Sequence, residues 1–134
     1  MAFWNKKASS DLTNVRLPGD NSFRLAIVGE SHYQEALEVI CGGRTEDGVD
    51  QVVSARLVAE DSNPYDPQAV HVEVGGKHVG YLSRQDARAY RDYMGRNGIG
   101  SSAGWCPARI RGGWERGGGD FGHFGVQLDL LLYG

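Results

Sequence analysis

The sequence predicts a mainly β protein with two helices (α+β), folded as a small six-stranded barrel of the OB or SH3-like kind. Three observations carry that expectation. Short runs of alternating or wholly apolar residues recur along the chain, bounded by turn residues. Two serines with capping-box spacing, Ser31 with Gln34 and Ser83 with Asp86, open the segments that have helical period. Glycine, 20 of 134 residues, is at about twice its average usage. It concentrates in Gly95–Gly104 and Gly112–Gly125, where it marks turns and long loops. A chain of this length makes one domain the default and buries roughly two-thirds of its unfolded surface, enough for a core without disulfide or metal.

In order, Met1–Ser22 is polar, carries a Pro18-Gly19 breaker and is expected to be a flexible tail, with the barrel domain over 23–134. Phe23–Gly29 is an apolar run suited to a buried strand. Tyr33, Ala36, Leu37, Ile40 and Cys41 recur at helical period until Gly42-Gly43 ends the helix. Val52–Glu60 alternates, with Val53, Ala55, Leu57 and Ala59 on one face. Ala69–Val74 and His78–Leu82 are strands joined at Gly75-Gly76, a two-residue hairpin signal. The second helix runs from Ser83 to about Arg96, with Ala87, Tyr90 and Met94 toward the core and Arg84, Arg88 and Arg91 on another stripe. Trp105–Gly112 and Val126–Tyr133 are the last strands, and Leu130-Leu131-Leu132 predicts burial on both faces there.

Composition excludes several function classes. A formal net charge of -3 argues against broad coating of nucleic acid, while leaving room for capture of one strand end through few phosphate contacts. Two cysteines, Cys41 and Cys106, make no disulfide scaffold and fit small buried thiols in a reducing cytosol. No apolar run reaches about 18 residues and Met1–Asn21 lacks an apolar signal core, so a cytoplasmic protein with no membrane contact is expected. The four histidines, His32, His71, His78 and His123, have no metal-ligand spacing, and no nucleophile or phosphate-loop motif occurs. The expectation is therefore no catalysis, no metal and no cofactor. His71 and His78 straddle the Gly75-Gly76 turn as cross-strand neighbours. The loop carrying Trp114, Phe121, His123 and Phe124 is either a plain long turn or an aromatic flap.

The most informative stretch is Asp61-Ser62-Asn63-Pro64-Tyr65-Asp66-Pro67-Gln68-Ala69-Val70, followed by Gly76-Lys77-His78-Val79-Gly80-Tyr81-Leu82. Two prolines stiffen a polar loop that presents Asn63, Tyr65 and Asp66 together, a set suited to something flat and polar. The competing account is an Asx-type turn closed by Asn63 and Asp66, with Tyr65 packed on the barrel.

These segments, with Ile27–Tyr33, Val79–Arg84, Ala108–Trp114 and Gly125–Leu130, resemble the HIRAN domain, a small β-rich module that grips the 3′ end of single-stranded DNA. The resemblance implies that Tyr65 stacks on the terminal base and Asp66 accepts a hydrogen bond from the free 3′-hydroxyl. It also implies that loop amides near Asn63 help fix the last nucleotide, with Ser62 among the binding candidates, while Ser31, His32 and Tyr33 close the pocket from the other side. The chain departs from the eukaryotic members, which carry Arg-Tyr-Tyr where it has Ser31-His32-Tyr33, and histidine where it has Tyr81. A carboxylate suits the implied role, because it attracts a hydroxyl donor and repels a phosphate, and stacking on an aromatic is worth about 1–3 kcal/mol for any base. Arg84, just after the matched strand, is the candidate for a phosphate contact, although Asp86 and Asp92 partly neutralise its stripe. The expected function is a non-catalytic module that captures single-stranded DNA 3′ ends in repair, fork processing or defence, beside a helicase, nuclease or other DNA-processing enzyme. The alternative is a protein-interaction module that binds a peptide or partner subunit.

Overall fold

Alternating side chains and well-placed turn residues build one curled sheet. The computed structural model describes residues 14–100 and 102–133. Its strands are β1 (Asn14–Arg16), β2 (Leu25–Ala26), β3 (Val49–Ala59), β4 (Val70–Val74), β5 (Lys77–Tyr81), β6 (Ala103–Gly112) and β7 (Phe124–Leu128). The helices are α1 (Gln34–Cys41) and α2 (Arg84–Arg96), and one 3-10 turn, Glu30–His32, precedes α1.

The sheet runs β2-β7-β6-β3-β4-β5 with antiparallel neighbours. Its two ends meet at one point. Val28, just beyond β2, and Tyr81, at the end of β5, exchange backbone hydrogen bonds of 2.8 and 2.9 Å. The small barrel the sequence predicts is thus present. Tight closure depends on Gly80, where a Cβ would stand 2.7 Å from the Val28 carbonyl oxygen and 2.8 Å from Ile27 Cδ1. The β4–β5 hairpin turns on Gly75 and Gly76 at φ +58° and +78°, a left-handed pair that matches strand twist and favours glycine.

Among the described residues the sheet has seven strands where six were expected. The additional one, β1, lies inside the segment assigned to a flexible tail and pairs in parallel with Ala103–Trp105 of β6. Residues 1–13 of that segment lie outside the described residues. Leu17 is buried in the core, filling the space over Gly104, whose missing side chain makes room for it. Beyond it, the Asp129 carboxylate, only 2 % exposed, accepts the backbone N–H groups of Asp20 and Asn21 at 3.0 and 2.9 Å. The same inward turn of Asp129 ends β7 at Leu128, short of the predicted Tyr133, and leaves Leu131 exposed.

Helix starts divide in the same way. Ser83 Oγ accepts the Asp86 N–H at 3.1 Å, so the cap predicted for α2 forms, and Ala87, Tyr90 and Met94 are buried as their spacing requires. The cap predicted at Ser31 does not form, because Ser31 lies in the 3-10 turn and α1 begins at Gln34. The Gln34 carboxamide instead donates to the Phe124 carbonyl at 3.0 Å and accepts the Phe124 N–H at 2.8 Å, anchoring α1 to β7. Along β3, Ala55 and Leu57 are buried as expected, but Ala59 is exposed where the strand leaves the barrel.

Gly80→Ala is expected to force the Val28 carbonyl aside and lower stability by about 1–3 kcal/mol, the usual cost of overpacking. Chemical denaturation of the purified variant checks this, and an unchanged midpoint would mean that the closure carries no strain.

Candidate nucleic-acid interface

Proline and Asx chemistry shape the loop between β3 and β4. Asn63 Oδ1 accepts the N–H groups of Tyr65 and Asp66 at 2.8 and 3.1 Å. Asp66 Oδ1 accepts the N–H of Gln68 at 3.0 Å. From α2, the Arg91 guanidinium donates to the carbonyls of Pro67, Gln68 and Ala69 at 3.0, 2.7 and 3.0 Å, and to Asp61 at 2.8 Å. The loop is therefore held from within by one carboxamide and from outside by one guanidinium. The Asx turn of the competing account exists, and it consumes the amides of Tyr65 and Asp66. Yet Tyr65 does not pack on the barrel, for it is 89 % exposed.

Beside the loop, Glu60 at the end of β3 gathers donors from three segments. Asn63 Nδ2 donates to Oε1 at 2.9 Å, the Tyr81 hydroxyl donates at 3.1 Å, and His71 Nδ1 lies 2.6 Å from Oε2. The other His71 nitrogen lies 2.6 Å from Glu73 Oε2. Against this pair lies a set of rings. His78 lies 4.3 Å from Tyr33 in a stacked arrangement, 4.7 Å from His71, and 4.9 Å from Tyr81 edge-on.

The electrostatics follow from burial and from these partners. Burial opposes the Glu60 charge, but hydrogen bonds from Asn63, His71 and Tyr81 outweigh it and hold the carboxyl below the usual carboxylate range. Burial first, and the neighbouring His71 second, hold the His78 ring below the ordinary imidazole value. Burial and the bond to Glu60 push the Tyr81 phenol up to about 12.

The sequence-derived candidates fall into two groups joined by Asn63. Tyr33 and Tyr81 belong to the ring cluster. Asp66 and Arg84 form the second group, with Arg84 Nε 3.8 Å from Asp66 Oδ2 and the Arg84 side chain 71 % exposed. His32 and Ser62 are exposed, His32 on the 3-10 turn and Ser62 in the loop. Arg88 is exposed on α2, whereas Arg91 of the same stripe is spent on the loop. The Trp114–Phe124 loop is pinned rather than free. Arg44 donates to the Gly122 carbonyl at 2.7 Å and lies over the rings of Phe121 and Phe124, and Glu115 bridges to Phe121. Among the described residues no His, Cys, Asp and Glu cluster could hold a metal, and no helix is long and apolar enough to cross a membrane.

Sequence reasoning missed Glu60, Glu73 and the loop-holding role of Arg91. A signal for the first two existed. His71 and Glu73 alternate with Val70, Val72 and Val74, which places both on the outer face of β4, and Glu60 stands where the partner strand leaves that face.

Glu60→Gln is expected to weaken three charge-assisted bonds at once and cost about 1–3 kcal/mol of stability, measured by urea denaturation; a variant as stable as the parent would remove Glu60 from its central place. Stability should also fall with acid. The folded state favours neutral His78, so that contribution is complete above its unfolded value of about 6.5 and is lost as pH falls through the lower folded value. Glu60 follows at lower pH, complete above about 4.3 and lost as pH falls through its own depressed value. The urea midpoint should therefore decline between pH of about 7.5 and 5 in the parent and decline less in His78→Gln.

Comparison with known families matches the HIRAN domain over residues 20–111, more than half of the chain. That span contains the Asp61–Ala69 loop, the ring cluster and Arg84, and stops before β7. No curated protein and no solved structure matches the chain. HIRAN domains are associated with DNA binding and are generally non-catalytic binding modules. By the extent of that match, and with the barrel and loop that its resemblance implied, this chain belongs to the HIRAN domain family.

Proposed function

We propose that the protein is a non-catalytic, cytoplasmic module that captures the 3′ end of single-stranded DNA and presents it to a helicase, nuclease or other DNA-processing enzyme. The observation that carries this reading is Tyr65, a ring left 89 % exposed on a loop whose backbone is fixed by Asn63 and Arg91. A ring carried on a backbone already held in place leaves only its own rotamer freedom to be lost when a base stacks on it, so more of the stacking energy survives as affinity.

The neighbouring groups supply the polar half of the recognition. Asp66 commits Oδ1 to the Gln68 N–H and keeps Oδ2 beside Arg84. That oxygen is the acceptor for the terminal 3′-hydroxyl, and the exposed Arg84 guanidinium takes the adjoining phosphate. Tyr33 has one ring face on His78, which leaves its opposite face to the nucleotide. His32, exposed on the same 3-10 turn, and Ser62, at the start of the loop, border the pocket. The amides of Tyr65 and Asp66 are already spent on Asn63, so the loop contributes its side chains.

Fluorescence anisotropy with a 5′-labelled short single strand at low salt tests the proposal. A 3′-hydroxyl end is expected to bind more tightly than a 3′-phosphate end, with the preference lost in Asp66→Ala. Tyr65→Ala should weaken both strands by about 1–3 kcal/mol. Binding to neither end would overturn the DNA reading and leave a peptide or partner subunit as the ligand.

A further inference from the structure

The outer face of the sheet carries a row of side chains that leads away from the ring cluster. Residues directly opposite one another on paired strands point to the same face. Following the register from β5, His78 stands opposite Glu73, Glu73 opposite Arg56, Arg56 opposite Trp105, and Trp105 opposite Arg16. The row begins at the histidine stacked on Tyr33, passes an indole outside the core and ends at Arg16. Cys106, Ala108 and Ile110 point inward, so Trp105 alternates outward with Pro107 and Arg109.

Trp105 has one cation over its ring and a second opposite it on β3. The Arg16 guanidinium lies over its ring at 4.6 Å. Arg56 is held across the strands by Asn14 Oδ1 at 3.0 Å and by Glu73 at 3.4 Å, with its side chain 44 % exposed. Beside them is a groove of about 440 Å³ that Trp105, Arg56, Ser54 and the Gly75-Gly76 turn help to line. A Cβ at either glycine would meet nothing within 4 Å, so that wall is open. The groove's carboxylate is Glu73, and Arg56 and His71 already hold it. In a chain of net charge -3, this is an aromatic surface with two guanidiniums, one of them paired with the groove's acid.

We propose that this surface is a second nucleotide subsite, in which an internal base of a single strand stacks on Trp105 in place of the Arg16 guanidinium, and Arg16, moved off the ring, contacts the strand's phosphates with Arg56. The direction of the strand rests on the end-capture reading above; the subsite does not. Three strand spacings separate β5 from β6, roughly 14 Å, a distance that a few extended nucleotides cross. A flat indole flanked by cations suits a base with its phosphate, since stacking tolerates any base and each guanidinium can fork onto a phosphate.

The test compares a 3′-hydroxyl dinucleotide with an octanucleotide on the full chain, by anisotropy, with melting curves to confirm folding. Trp105→Ala and the double variant Arg16→Gln, Arg56→Gln are expected to weaken the octanucleotide by about tenfold or more and leave the dinucleotide unchanged. Trp105→Phe keeps a ring there and should retain most of the affinity, which separates lost stacking from lost packing. Octanucleotide binding indifferent to all three variants would overturn the subsite and leave the groove to a protein partner, with end capture intact. The opposite failure is equally readable. An octanucleotide that binds through Trp105 but ignores Tyr65→Ala and its own 3′ chemistry would uphold the subsite and overturn end capture. No binding of either strand would overturn both.

Discussion

The carboxylate of Glu60 is the interaction on which the candidate site depends. It takes one donor from the loop, one from the neighbourhood of β4 and one from β5, through Asn63, His71 and Tyr81. A partly buried charge is costly unless its lone pairs are filled, and here the three donors more than offset the burial. Each donor has a second task. Asn63 folds the loop through its carbonyl oxygen, His71 reaches on to Glu73, and Tyr81 closes the barrel through its backbone. Loop shape, ring positions and barrel closure therefore share one anion.

The closure explains why the rings can stand where they do. Val28 pairs with Tyr81, and the chain continues from Val28 into the 3-10 turn that delivers Tyr33 onto His78. A glycine at position 80 lets the two backbones meet, so a residue without a side chain sets the spacing of an aromatic cluster. The fold and the site are built from the same few residues of β5.

Much of the architecture was legible in the sequence, for identifiable reasons. Period-two alternation marked β3 and β4, two glycines marked the hairpin, and Ser83 with Asp86 marked α2; all are local signals that survive in the folded state. The failures were non-local. Nothing in Asn14-Val15-Arg16 announces a strand, because the strand it pairs with, β6, lies far along the chain. The end of β7 was misplaced because Asp129 turns inward to the amides of Asp20 and Asn21. Gln34 has the spacing of a cap residue and serves as a tether to Phe124 instead. For the site, the loop residues announced themselves by composition, whereas Glu60 and Arg91 act on backbone and side chains that sequence spacing does not bring near them.

The hold that Arg91 has on the loop has a consequence for where recognition resides. Three successive carbonyls, from Pro67 to Ala69, are fastened to a side chain of α2, so the loop's shape is a property of the helix as much as of its own residues. The Asp61–Ala69 segment is therefore not a portable motif. Transplanted onto another barrel it would keep its prolines and its Asx turn, but without an arginine at the matching height it would present Tyr65 as one conformer among many.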